Sequence, residues 1–400
     1  MNSAGNLFDE LKERKLIYNF IPKTREHLLT PRKIYVGIDP TSDSLHIGHL
    51  LQFITLKRAI RYGHQGIVII GGGTALIGDP SGKNEERPVL AEKEIKNNIK
   101  SLTTQIKKLL PSAIFIDNSI WLKNFRLIDF LREIGKQISI NTMIDLEFIK
   151  QRLQNNRYLS LAEFTYQTLQ SYDFYQLFLR ENCTVQFGGS DQWGNIIQGV
   201  ELIKKKTGKS VFAFSQPLII DPDTGRKFGK TEKGKAIWLD SSKTSPFEFY
   251  QFIYNIKDNL IIDLVLYYSF KPLEELTELL KQHKKNPEAR LAQRELAEEL
   301  ISLLYSKKHL ETIEKLNLAL FNDKFNELEK ISKTNLNKTI KTYQANRNNT
   351  LIDLLVKTKL ATSKKEANRL IKQNGVKKYE TKNFIVLKKG RKHFSILIKS

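Results

Sequence analysis

The sequence predicts an α/β protein: a parallel sheet covered by helices, followed by an all-helical domain and a small basic α+β module. Three observations carry that expectation. Short apolar, β-branched runs alternate with helical patterns through the first half of the chain, and such alternation builds a parallel sheet with helices on its faces. From Ser245-Pro246, a cap followed by proline at the first helical position, the pattern stays helical to about residue 320. Residues 351–400 then hold 14 Lys and Arg against 3 Asp and Glu, a net of +11 out of +22 for all 400 residues. Such clustering favours a basic nucleic-acid module over charge spread for solubility.

Residues 7–19 read as an amphipathic helix. Ile34 to Ile38 form a short buried strand that Asp39-Pro40-Thr41 breaks. Ser44 can cap the next helix, whose Ile47, Leu50, Leu51 and Ile54 recur at helical spacing to about residue 61. His46 and His49 share one face of its first turn. A helix start offers unpaired N–H donors and partial positive charge, which suits phosphate, and Gly48 lets a flat ring lie against the backbone. The alternatives are a surface helix with two incidental histidines, or half a metal site. No further His or Cys stands nearby in sequence to complete the latter.

A second strand, Gly66 to Ile70, runs into Gly71-Gly72-Gly73. A helix at about 91–110, a strand from Ala113 to Ile116 and a helix at about 120–134 continue the alternation. Ligands bind beyond the carboxyl ends of parallel strands, where both the 35–49 stretch and the Gly71 loop lie. Neither Gly71-Gly72-Gly73-Thr74-Ala75-Leu76 nor Gly78-Asp79-Pro80-Ser81-Gly82-Lys83-Asn84 fits a dinucleotide or phosphate-loop pattern, so those two enzyme classes are not supported. Lys83 and Arg87 still stand on the second loop, placed to reach phosphates or simply solvated.

Ser160-Leu161-Ala162-Glu163 is a capping box that starts a helix at 161. Along it Tyr166, Gln170 and Asp173 make a polar stripe among Phe164, Leu169, Phe174 and Leu177. The stripe either faces water or walls a polar pocket. A strand from Thr184 to Phe187 delivers Gly188-Gly189-Ser190-Asp191-Gln192, and an acidic residue after such a turn is a natural partner for ribose hydroxyls. Leu218 to Ile220 read as a further strand. Beyond it, Lys227-Phe228-Gly229-Lys230-Thr231 puts two lysines on a Gly-containing loop that can swing towards phosphates or stay disordered. Residues 332–349, rich in Asn, Lys and Thr, read as linker. Helices at about 351–357 and 363–373 precede strand-like Phe384 to Leu387 and Phe394 to Ile398.

Cys183 is the only cysteine, which excludes an intrachain disulfide and fits a reducing compartment. No apolar run approaches the ~18 residues of a membrane span. Asp9, Glu10 and Glu13 argue against a leader peptide. The expectation is a cytoplasmic protein without a membrane partner.

Asp39-Pro40-Thr41 followed by His46-Ile47-Gly48-His49 resembles the His-Ile-Gly-His signature of class I aminoacyl-tRNA synthetases, and Lys227 to Thr231 resembles their Lys-Met-Ser-Lys-Ser loop. The longer context, densest in 32–90, 160–200 and 217–250, resembles the bacterial tyrosyl-tRNA synthetases over nearly the whole chain. That resemblance implies a Rossmann-like catalytic domain over 1–225, with a helical insertion at about 120–185 that serves as a dimer interface. A mobile lysine loop and helical anticodon-side domain over 226–325, a linker over 326–349 and a small RNA-binding domain over 350–400 would follow. It also implies L-tyrosine, tRNA(Tyr) and ATP with Mg2+ as substrates, a homodimer, no resident metal and no tightly bound prosthetic group. Tyrosine's carboxylate would attack the α-phosphate of ATP, and a tRNA ribose hydroxyl would then take the tyrosyl group.

Carried over to this chain, Thr41 and His46 would hold the γ-phosphate. Lys83, Arg87, Lys227, Lys230 and Thr231 would close over the pyrophosphate. Gly48 and His49 would line the ATP site, and Asp191 with Gly189 would hold the ribose. Asp79, Tyr166 and Gln170 would bind the substrate ammonium, with Gln192 near its carboxylate and Asp39 and Gly37 lining the pocket. Tyr35 and Asp173 would take the phenol. The chain departs from the family at Val36, where Cys is common, at Gly73, where Ala is usual, and at Lys377-Lys378-Tyr379-Glu380, which replaces an Asn-Gly turn. The Tyr166, Gln170 and Asp173 stripe argues against the tryptophanyl enzymes, which share the fold. The alternative of another class is a synthetase-like RNA-binding protein without catalysis.

Overall fold

A sheet at whose centre the strand order turns back on itself positions the described candidate residues of the first half of the chain. The computed structural model describes residues 5–81, 90–223, 225, 227–229, 234–346, 348–390 and 393–399. Backbone contacts divide the chain into two units, Met1–Ala236 with Asp258–Lys284, and Ile237–Lys257 with Lys285–Ser400.

The first unit holds strands β1 (Asn19–Phe20), β2 (Lys33–Ile38), β3 (Gln65–Ile70), β4 (Ile114–Asp117), β5 (Val185–Gly189) and β6 (Phe212–Gln216), in the spatial order β1-β6-β5-β2-β3-β4. All neighbours run parallel except β1 on the β6 edge. Gly66 to Ile70 are buried throughout, as a strand covered on both faces requires. The order reverses between β2 and β5, which pair only at Ile34↔Val185 and Tyr35↔Gln186. Beyond that register the carboxyl ends of the two strands are unpaired, and this switch point is where open α/β sheets take their ligands.

Helix Ile47–Arg61 follows β2, Glu92–Leu109 joins β3 to β4, and Trp193–Thr207 joins β5 to β6. Helix Leu161–Glu181 starts where its cap predicts, Ser160 Oγ accepting from the Glu163 N–H at 3.2 Å. Glu163 itself turns into a buried ion pair with Arg152 at 2.7 Å, so its side chain serves that pair. Phe174 and Leu177 of this helix pack with Cys183, Ile196 and Ile203 in the core beneath the sheet.

Several expectations need correction. The first helix spans only Leu7–Glu13, because Lys15 turns left-handed at φ 58°. The helix expected at 120–134 is two short ones, Ser119–Leu122 and Leu127–Glu133. Ser44 does not cap the helix after β2; its buried hydroxyl donates to the Leu45 carbonyl at 3.0 Å. His46 is the cap instead, its Nδ1 accepting from the Gly48 N–H at 3.1 Å. The strand expected at Leu218 to Ile220 lies upstream as β6, which Pro217, lacking an N–H, cannot extend. Ile220 makes only an isolated bridge to Lys227.

In the second unit, helix Pro246–Tyr254 carries a complete capping box between Ser245 and Glu248. Helices Leu291–Leu304 and Lys307–Phe321 pack in the same unit, and the basic tail folds as helices Leu351–Lys357 and Lys364–Lys372 with a sheet. That sheet holds β7 (Thr342–Ala345), β8 (Val376–Glu380), β9 (Phe384–Lys389) and β10 (His393–Lys399), in the order β7-β10-β9-β8. The stretch read as linker therefore carries helix Lys333–Thr339 and strand β7, which runs parallel to β10 from Ile396↔Thr342 to Lys399↔Ala345. Its polar composition hid it: an edge strand buries few side chains, and in β7 only Ala345 is buried.

Two glycines after β3 are set by close approach. A Cβ on Gly71 would stand 2.0 Å from Asp39 Oδ1, so only glycine lets that carboxylate cross the strand end. At Gly73, where the family resemblance made Ala usual, a Cβ would stand 2.9 Å from Leu122 Cδ1 and 3.0 Å from Leu122 Cβ. Gly73→Ala should therefore destabilise the protein by about 1–3 kcal/mol through overpacking. Leu122→Ala in the same chain should recover most of that loss relative to Leu122→Ala alone, read from urea midpoints; additive losses would show that Leu122 is not the obstacle.

Candidate active site

Three strand ends and one helix meet at the switch point. Asp173, twelve residues on from Leu161 at the helix start that Ser160 caps, is buried. Its Oδ1 accepts from Trp121 Nε1 at 2.7 Å and its Oδ2 from Asn118 Nδ2 at 2.9 Å. Burial pushes the carboxyl up to about 7, the two donors holding it back while the nearby Asp39 and Asp117 add to the rise. Tyr35, from the middle of β2, is also buried, with its ring 5.2 Å from that of Phe174. Its hydroxyl meets no hydrogen-bond partner among the described residues. Burial raises that hydroxyl well above the usual range, with the Asp173 charge contributing, so it keeps its proton and remains a donor.

Nearer the strand ends lies a second layer of carboxylates. Asp39 accepts from the Tyr166 hydroxyl at 2.9 Å and from Thr74 Oγ1 at 2.7 Å. Thr74 Oγ1 in turn accepts from Asn118 at 3.1 Å, which joins Asp39 to the Asp173 group. Asp79 accepts from Gln192 Nε2 at 2.7 Å and from the Ser81 N–H at 2.9 Å. Asn195 donates to Gln170 Oε1 at 3.1 Å and stands 3.4 Å from Gln192 Oε1. The structure thus brings Tyr35, Asp39, Asp79, Tyr166, Gln170, Asp173 and Gln192 together. Gly37 ends beside them with an exposed face, and a Cβ there would meet nothing within 4 Å. Carboxylates converging on open space attract a cation such as an ammonium.

The other end is a helix start, whose amides and partial positive charge suit an anion. Because His46 Nδ1 accepts the Gly48 N–H, that nitrogen carries no proton, and the donor is Nε2–H. The His46 and His49 rings stack at 3.7 Å. A Cβ on Gly48 would stand 3.0 Å from His46 Cε1, so glycine is what lets the cap ring fold back over its own helix. Thr41 is exposed just before this turn. Asp191, following Gly189 at the end of β5, is paired with Lys227 Nζ at 2.9 Å. Lys83, Arg87, Lys230 and Thr231 lie outside the described residues.

Residues 29–322 match the family described as tRNA synthetases class I (W and Y). Over 98% of its length the chain is 36% identical to a tyrosine–tRNA ligase of Roseiflexus castenholzii, covering 99% of that relative. It is 39% identical to one of Staphylococcus haemolyticus, with 98% of each chain covered. The chain belongs to the tyrosine–tRNA ligase family of class I synthetases. The C-terminally truncated mitochondrial tyrosyl-tRNA synthetase of Aspergillus nidulans superimposes on this synthetase with a TM-score of 0.72 at 28% identity, over 79% of this chain and 94% of that one.

Sequence reasoning missed the residues that hold this synthetase's carboxylates, Asn118, Trp121 and Thr74, and Asn195, which holds the Gln170 and Gln192 amides. Asn118 had a signal, since it directly follows a parallel strand, where ligand-binding residues gather. Trp121 had none; one apolar ring in a short helix reads as core.

The raised Asp173 carboxyl makes a checkable demand on stability. In the unfolded chain an Asp titrates near ~3.9, so its proton leaves the unfolded state first, and this contribution to stability declines as pH rises from about 4 through about 7. His27 and His64, held by burial at about 4, slope the opposite way over part of that range. The difference between wild type and Asp173→Asn isolates the carboxyl. Urea midpoints should show that difference shifting in favour of the variant as pH rises across this window; parallel curves would contradict the assignment.

Proposed function

We propose that this chain activates L-tyrosine with ATP and transfers it to tRNA(Tyr). The observation that carries the reading is the buried Tyr35 hydroxyl, without a hydrogen-bond partner among the described residues, beside the Asp173 carboxylate. A phenol answers both groups: its proton goes to a free lone pair of Asp173, and its oxygen accepts from Tyr35. An indole has only an N–H donor and would leave Tyr35 with nothing to donate to. Phenylalanine would leave both groups buried and unanswered, at about 1–3 kcal/mol each.

With the phenol at that end, the substrate ammonium falls among Asp39, Asp79, Tyr166 and Gln170, and its carboxylate near Gln192. The carboxylate oxygen attacks the α-phosphorus of ATP, and the bond to the bridging oxygen breaks as pyrophosphate leaves. No covalent enzyme intermediate forms, so the residues act by orientation and by neutralising charge on the departing group. Thr41 and the His46 Nε2–H serve the γ-phosphate, and Gly48 and His49 line the nucleotide. Lys83, Arg87, Lys227, Lys230 and Thr231 supply positive charge to the pyrophosphate. Asp191, beside Gly189, takes the ribose hydroxyls in place of its present partner Lys227. Magnesium arrives with ATP as part of that substrate. In the second step a ribose hydroxyl of the tRNA 3′ end attacks the tyrosyl carbonyl, and AMP leaves.

The remaining assignments follow the same reading. Residues 350–400 bind RNA, with Lys364, Lys365, Arg369 and Lys372 clustered on one short helix. The helical domain within 226–325 lies on the anticodon side. The insertion at about 120–185 forms a homodimer interface, since Leu127, Ile128, Ile140, Tyr158 and Leu161 each expose 61–77% of their surface there. The single thiol is buried, which suits a reducing cytoplasm. Among the described residues no helix is long and apolar enough to cross a membrane.

Amino-acid-dependent ATP–pyrophosphate exchange tests the reading. Exchange should depend on tyrosine and be absent with tryptophan alone. Tryptophan-dependent exchange, or none with either amino acid, would overturn it.

A further inference from the structure

A deeply buried charged cluster of the first unit lies outside the site already described. Arg14, 2% exposed, pairs with Glu10 at 2.7 Å and donates to three backbone carbonyls: Leu266 at 3.1 Å, Ser269 at 3.0 Å and Lys271 at 2.7 Å. Arg58, 1% exposed and on the same helix as His49, donates to the Ser269 carbonyl at 2.6 Å. These carbonyls belong to the C-terminal end of helix Asp258–Tyr268 and the turn after it, where a helix presents unsatisfied acceptors and partial negative charge. Two buried guanidiniums on one helix end fix it strongly. Arg61 adds a cation–π contact, its guanidinium 4.0 Å from the Phe270 ring centre.

The side chain that this anchored end carries is Tyr268, 1% exposed. Its hydroxyl donates to the Ile47 carbonyl at 2.9 Å. Ile47 is the first residue of the helix that His46 caps, and its neighbour Gly48 gives the N–H that fixes the His46 ring. Burial pushes the Tyr268 hydroxyl far above its usual range, so at any working pH it is a donor. A helix start is the least constrained part of a helix, because its first amides have no intrahelical acceptor to hold them. Here a distant segment supplies that constraint, reaching the turn from 221 residues along the chain.

We propose that Tyr268 is a positioning residue for ATP: anchored by Arg14 and Arg58, it sets the height and rotation of the His46 turn through the Ile47 carbonyl. It touches no reacting atom. Its contribution is orientation of Thr41 and His46 against the leaving phosphates, where small displacements are costly in rate. The inference rests on the reading of that turn as the phosphate end of the site.

Tyr268→Phe removes one oxygen and keeps the ring. The exchange assay should show kcat/KM for ATP falling about fivefold or more, with the KM for tyrosine unchanged. A role in stability alone would lower Tm and leave the ATP parameters intact, which would overturn the proposal. The second reading is a double-mutant cycle with His46→Asn. If Tyr268 acts through the turn, Tyr268→Phe should cost little more once His46 is gone; fully additive losses would refute it. The cycle still answers if Tyr268→Phe lowers Tm, since both arms share that background. His46→Asn alone separates the two claims. If it spares ATP use, the phosphate reading fails; if it impairs ATP use while Tyr268→Phe does not, only the positioning role fails.

Discussion

Much of the catalytic half is arranged to keep one carboxylate buried. Asp173 sits where desolvation disfavours its charged form, and it is tolerable there only because Asn118 and Trp121 donate to it. Asn118 is not free to do this alone. Its Oδ1 accepts from the Gly73 N–H at 2.7 Å, and its Nδ2 also reaches Thr74, which holds Asp39. The end of β4, the glycines after β3 and the end of β2 are thereby tied to one point on helix Leu161–Glu181. A chain that loses one of these donors loses the placement of the others, because buried polar networks hold only when every member is satisfied.

That network explains which parts of the site were legible in the sequence. Tyr35 to His49 form one continuous stretch, so strand, break and helix start are recorded in neighbouring residues. Tyr166, Gln170 and Asp173 repeat at helical spacing, so their shared face is recorded in periodicity, although whether that face met water or a pocket was not. The partners that settle the question come from other strand ends. Asn118 and Trp121 lie more than 50 residues before Asp173, and no local pattern marks a residue as the donor to a distant carboxylate. The cap after β2 failed for a related reason: Ser44 has the right chemistry, but its burial sends its hydroxyl to Leu45 and leaves the capping to His46. In the second unit, composition misread β7, whose pairing with β10 depends on a segment more than 50 residues later.

The second unit uses the same logic at lower charge. Glu329 accepts from Thr381 Oγ1 and from both the backbone and side chain of Asn383. Phe325 stacks on Tyr379 at 4.1 Å, and Phe394 meets Phe247 and Phe321 edge-on. The basic helix and sheet of residues 350–400 are thus held to the helices before them by specific contacts rather than by a slack polar chain.

The central claim is that a buried donor and a buried carboxylate read the substrate's phenol. The ratio of kcat/KM for tyrosine to that for phenylalanine, measured by pyrophosphate exchange, tests it most directly. In Asp173→Asn the ratio should fall on the order of tenfold or more, with the KM for ATP nearly unchanged. A ratio equal to that of the wild type would contradict the account.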